Sequence, residues 1–96
     1  MKDVMGLCWA AYQGDLDEVR RLVASGVNLD EADYDGRTCM HLAASEGQTK
    51  VVEFLIAKNV NIKPKDRWGG TPHDDAKRHG HKDVMILLEN AIKKEK

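Results

Sequence analysis

Apolar residues fall along this chain in short clusters that return at a fixed interval. Val51, Val52, Leu55 and Ile56 sit at i, i+1, i+4 and i+5, which puts an apolar stripe on one side of a helix. Set out at a period of 33 residues, Leu22, Leu55 and Leu88 share one column, and Val19, Val52 and Met85 share another. These columns predict the buried side of a second helix in each of three units. The column of Glu18, Val51 and Val84 is more polar in the first unit. A first helix precedes each of them. The earliest is predicted over residues 5–11, with Leu7, Cys8 and Trp9 in the places later held by Met40, His41 and Leu42. Its partner is predicted over roughly residues 17–24, with Asp15 or Asp17 at the start, where a carboxylate meets free amides and the positive end of the dipole. Trp9 is expected in the core, because Trp buries well beside Leu. The other reading is an apolar face left bare.

The punctuation between helices has the same period. Asp33, Gly36, Thr38, Ala43 and Gly47 return as Asp66, Gly69, Thr71, Ala76 and Gly80, while Ala10, Ala11 and Gly14 precede them by one period. Gly26 and Asn59 follow the second helices, at the place where a left-handed residue ends a helix. Gly14, Gly47 and Gly80 do the same between paired helices. Such a period predicts an all-α solenoid of about three helix-turn-helix repeats joined by hairpin loops, each burying a face only against its neighbours. The repeats run over about residues 1–32, 33–65 and 66–92, with a polar, solvated tail at 93–96. Residues 1–4 are too few for a hairpin before the first helix. Thr38 is placed to cap its helix, and Ala43 and Ala44 leave room for a neighbouring helix pair. In the third repeat Thr71-Pro72 starts the helix, but His73, Asp74 and Asp75 then give it the polar face that suits an end cap.

Composition narrows the function more than the fold. Fifteen Lys and Arg against sixteen Asp and Glu leave a net charge of -1, which gives no argument for nucleic acid or membrane. The distribution is uneven: residues 1–48 hold four basic and nine acidic side chains, net -5, and residues 49–96 hold eleven and seven, net +4. The array is therefore a weak electrostatic dipole. Cys8 and Cys39 have no Cys-x-x-Cys spacing and follow no secretory signal, so they read as reduced core thiols in an intracellular compartment. No apolar run is long enough to span a bilayer, and the opening residues are no targeting peptide.

No catalytic constellation is visible. The two serines, Ser25 and Ser45, open no Ser-x-x-Lys motif and sit in no Gly-x-Ser-x-Gly elbow. Cys8 and Cys39 lie on helix faces expected to pack, which disfavours a thiolate nucleophile. Adjacent Asp74 and Asp75 will not face each other across a site on a helix, and read as a cap or a solvated face. Gly69-Gly70 lies in a repeat hairpin and is no phosphate loop. His79 and His81 flank a turn without the further ligands a metal needs, and nothing in the sequence partners His73. No cofactor is expected.

The stretch over residues 33–47, Asp-Tyr-Asp-Gly-Arg-Thr-Cys-Met-His-Leu-Ala-Ala-Ser-Glu-Gly, resembles an ankyrin repeat entering its first helix. That resemblance makes the fold an ankyrin-repeat solenoid and gives His41 the structural role of tying adjacent hairpins by backbone hydrogen bonds. Cys39 stands where the family usually has Pro. The resemblance also implies that partners bind at the hairpin tips and the exposed flank of the first helices. In this chain that means Tyr34, Asp35, Arg37, Ser45 and Glu46, then Arg67, Trp68, Gly70, Arg78 and His79. Trp68 beside Arg67 is a pair of the kind enriched in interface hot spots. Alternatively, Trp68 folds back on Tyr34 and Lys65.

Three segments are similar to the C-terminal ankyrin segment of kidney- and liver-type glutaminases: Ala-Ala-Tyr-Gln-Gly-Asp from Ala10, Asp-Tyr-Asp-Gly-Arg-Thr from Asp33, and Pro-Lys-Asp-Arg-Trp from Pro64. Ankyrin segments of plant and protist kinases also carry Asp-Arg-Trp-Gly. The glutaminase resemblance implies a non-catalytic appendage of an enzyme that hydrolyses glutamine to glutamate and ammonia in a separate upstream domain. Its location would be mitochondrial, its partner a protein that is possible to seek in the parent catalytic domain, and any oligomer would form through the parent. The alternative is a structural, oligomer-stabilising spacer, or an ankyrin segment of a kinase or other multidomain protein.

Overall fold

The computed structural model describes residues 4–94. Residues 1–3, which belong to the expected missing hairpin, and Glu95 and Lys96 of the expected tail lie outside the described residues. The chain forms α1 (Val4–Gln13), α2 (Leu16–Ala24), α3 (Cys39–Ser45), α4 (Thr49–Ala57), α5 (Pro72–Arg78) and α6 (Lys82–Lys94). They are three successive helix pairs, with no strand among the described residues. The first helices α1, α3 and α5 pack in one row, more extensively than α2, α4 and α6 do in theirs. Ala10, Ala43 and Ala76, one period apart, are buried in the first row, as are Ala11 and Ala44. Their methyl groups let the helix backbones approach closely. Leu22, Leu55 and Leu88 are buried in the second row, as the periodic columns predict, while Met85 is only partly so.

Local chemistry accounts for the helix ends. Asp15 caps α2, its Oδ1 accepting the Glu18 N–H at 3.2 Å. Thr71 and Asp74 form a reciprocal box at the start of α5, with N–H to side-chain distances of 3.0 and 3.3 Å. Asn59 ends α4 at φ 61°, a conformation that Asn tolerates better than most side chains. Lys93 and Lys94 extend α6, where their charges favour the negative end of its dipole.

Two elements depart from the sequence reading. Trp9 is 60% exposed and stacks on Tyr12, with ring centroids 5.6 Å apart and planes at 13°. Helical phase explains this: Leu7, Ala10 and Ala11 take the buried side of α1, and Trp9 lies about 200° around from Leu7. The bare apolar face is therefore the correct reading. Asp75, expected at a cap or solvated face, is fully buried between two arginines described below.

Side chains one period apart tie the repeats together. Gln48 Nε2 donates to the Tyr12 carbonyl at 2.9 Å, and His81 Nε2 lies 3.0 Å from the Ser45 carbonyl in the next pair. His81 thus serves the stack. Asp30 Oδ1 accepts the Asn61 N–H at 2.7 Å on the far side of the repeat.

Candidate protein-binding surface

Each hairpin is built by one aspartate. Asp33 Oδ1 accepts the N–H groups of Asp35 and Arg37 at 2.9 and 3.0 Å, and Asp66 Oδ1 accepts those of Trp68 and Gly70 at 3.0 and 2.8 Å. The residues between must then project outward at the tip. Tyr34 is 100% exposed and Trp68 is 69% exposed. Tyr34 is thus open to solvent on all sides, and Trp68 does not fold back on it. The Arg67 guanidinium instead lies 5.5 Å from the centre of the Trp68 ring. Arg67 also joins the two tips, its backbone N–H to the Asp35 carbonyl at 2.7 Å and its Nη1 to Asp35 Oδ1 at 3.1 Å. Tyr34, Asp35, Arg67 and Trp68 thus form one continuous ridge.

The expected flank divides. Glu46, Arg78 and His79 are exposed at the C-terminal ends of α3 and α5, Glu46 and His79 as their C-caps. Ser45 is not: it is buried, with its hydroxyl on the Leu42 carbonyl at 3.0 Å and its own carbonyl taken by His81. Arg37 is drawn inward. Its Nη1 lies 3.3 Å from Asp66 Oδ2 and its Nη2 3.0 Å from Asp75 Oδ2, while Arg78 closes on the other oxygen of Asp75. Ser45 is thus a packing residue, and Arg37 an inter-repeat tie. A cleft of about 430 Å³ between Trp68 and Arg78 joins the ridge to the flank, with Arg37, Asp66, Gly70 and Asp74 completing its wall.

His41, Asp66 and Asp75 bring ligand-type atoms within 4.8 Å of one another. Their valences are already used. His41 Nδ1 accepts the Thr38 N–H at 3.0 Å, so its Nε2 must carry the proton it gives to the Gly70 carbonyl at 3.0 Å. Arg37 supplies the cation for both carboxylates. Burial, opposed and outweighed by the Gly70 and Trp68 N–H bonds, leaves the Asp66 carboxyl below its ordinary range. His73 Nε2 finds Glu89 Oε2 at 2.7 Å. Both cysteines are buried and free. Burial, then the Asp33 charge, pushes the Cys8 thiol up to about 11, and burial, then Cys8, pushes Cys39 up to about 12. Neither presents a thiolate at neutral pH.

Sequence reasoning missed one part of this surface. Met5, Trp9 and Tyr12 stand at i, i+4 and i+7 on α1, all exposed, and with Leu42 they border a second cleft of about 470 Å³. The signal was available: Tyr12 lies one period before Ser45 and two before Arg78.

A family model described as ankyrin repeats (3 copies) matches residues 7–96. The liver isoform of mitochondrial glutaminase from Rattus norvegicus is 48% identical over 90 residues, 93% of this chain and 15% of that protein. The potassium channel GORK of Arabidopsis thaliana is 42% identical over 84 residues, 88% of this chain and 10% of the channel. Among solved structures, a chain in the complex of the Bdellovibrio bacteriovorus predatory endopeptidase Bd0816 with immunity protein Bd3460 superposes with a TM-score of 0.87. It is 36% identical, with 90% of this chain and 45% of that one covered. The chain thus spans a small fraction of the length of these glutaminase and channel relatives. Among the described residues, no helix is long and apolar enough to cross a membrane.

Proposed function

The chain belongs to the ankyrin-repeat family, and from that premise we propose that it is the non-catalytic recognition module of a glutaminase. Ankyrin repeats generally mediate protein-protein interaction. In this reading the partner lies across the tip ridge of Tyr34, Asp35, Arg67 and Trp68 and the flank of Glu46, Arg78 and His79. The observation that supports it most is the placement of two large aromatic residues on adjacent tips. Every buried side-chain polar atom among the described residues has a partner, so the polar interior is satisfied within the fold. The free binding capacity lies at the rim. The mitochondrion is the proposed location, following the parent.

The test is capture of a glutaminase catalytic domain on the immobilised 96-residue chain, native and Trp68→Ala. Loss of a hot-spot tryptophan is expected to cost about 2 kcal/mol, roughly thirtyfold in affinity. Equal retention by both proteins removes Trp68 from the site. A second reading, the ankyrin segment of another multidomain protein, is favoured by the 42% identity to a potassium channel. A Ser-x-x-Lys domain encoded upstream decides for the glutaminase.

A further inference from the structure

The open cleft at α1 and the Arg37 site are the same place in the solenoid, one repeat apart. The cleft is lined by Met5, Cys8, Trp9, Tyr12, Asp33 and Leu42. One period of 33 residues later these positions are Thr38, His41, Leu42, Ser45, Asp66 and Asp75. There the space holds the Arg37 guanidinium, bound to Asp66 Oδ2 at 3.3 Å and Asp75 Oδ2 at 3.0 Å. One period before Arg37 the sequence has Val4, which brings no cation. Asp33 otherwise repeats Asp66. Its Oδ1 is used by the hairpin N–H groups, and its Oδ2, the oxygen that holds Arg37 in the later copy, has no partner among the described residues.

We propose that this cleft receives an arginine side chain presented by a protein partner. The guanidinium pairs with Asp33 Oδ2, and its stem lies along Trp9 and Leu42. Leu42 stands where the later site has Asp75, so the second carboxylate is absent. Two stacked aromatic rings, Trp9 and Tyr12, take its place. A planar delocalised cation packs on such faces and on one carboxylate together, whereas a compact ammonium or a metal ion gains less from the rings. The net charge of -5 over residues 1–48 draws a basic segment to this end. The inference rests on the protein-binding reading and supplies the chemistry of the partner.

It is tested on the full chain by two-dimensional amide and indole NMR, titrating N-acetyl-arginine amide and, separately, its neutral isostere N-acetyl-citrulline amide. The arginine compound is expected to shift the Trp9 indole and the Asp33 and Leu42 amides, and the citrulline compound to leave them in place. Asp33→Asn keeps an oxygen for the hairpin N–H groups and removes the charge; it is expected to weaken binding about tenfold. Trp9→Ala removes a solvent-facing ring and is expected to weaken it too, with thermal melting showing that both variants fold. No shift with the arginine compound, an equal response to citrulline, or unchanged binding by Asp33→Asn overturns the proposal. Because neither probe is the partner, that failure leaves the Trp68-dependent capture experiment intact.

Discussion

His41 and Asp74 stand in the same column and answer different demands of it. His41 accepts the Thr38 N–H and donates onward to Gly70, joining its helix to the following hairpin. Asp74 turns back to Thr71, accepting its N–H, and α5 has no following hairpin among the described residues for it to reach. Removing the imidazole leaves a buried donor and acceptor unpaired as well as a cavity. His41→Ala is therefore expected to lose about 3 kcal/mol in urea denaturation. On the acid side Asp74 contributes together with Asp66. The Thr71 N–H holds the Asp74 carboxyl below the ordinary value of 3.8. A carboxyl whose folded value is depressed stabilises the fold above its unfolded value and loses that contribution as pH falls through the folded one. Thermal stability should therefore fall as pH is lowered from about 5 to about 3. Asp74→Asn, which keeps a cap oxygen but does not titrate, should flatten that fall in part. The motif made the roles of His41 and of Thr71 with Asp74 legible. The burial of Asp75 was hidden, because its partner Arg37 lies 38 positions away and adjacency in sequence suggested only a polar face.

At the scale of elements, two hairpins of identical plan differ in what lies against them. Gly36 and Gly69 have φ of 75° and 80°, but a Cβ on Gly36 meets the Asp66 Cα at 3.2 Å, while one on Gly69 meets nothing within 4 Å. Gly69→Ala is expected to cost about 1 kcal/mol, the strain of a left-handed alanine. Gly36→Ala should cost roughly twice that, because the next hairpin's backbone must also move. Equal shifts in the urea midpoints of the two variants would show that hairpin contact contributes nothing. The first helix follows the same logic. Its residues were read correctly as a helix, and only the phase of Trp9 was misjudged, because the spacing from Leu7 sets a direction that packing on α3 alone turns into exposure.

At the scale of the whole molecule, the extensive helix packing among the described residues runs within a repeat or between adjacent repeats, and α3 is the first helix packed on both sides, by α1 and α5. Native-state hydrogen exchange is expected to be slowest in α3 and faster in α1 and α6, with the stack opening from its ends. Uniform protection across all six helices would show one cooperative unit instead. The sequence by itself determined the period, the helix pairs, the hairpin aspartates and the apolar columns, because these follow from local conformational preference and from a spacing that recurs in register. Only the tertiary structure decided which repeated positions are filled and which are open. Arg37 occupies the space between the second and third repeats, whereas Val4 leaves no arginine to occupy it between the first and second. That difference arises where a side chain from one repeat meets two others. No property of a single stretch of chain records it.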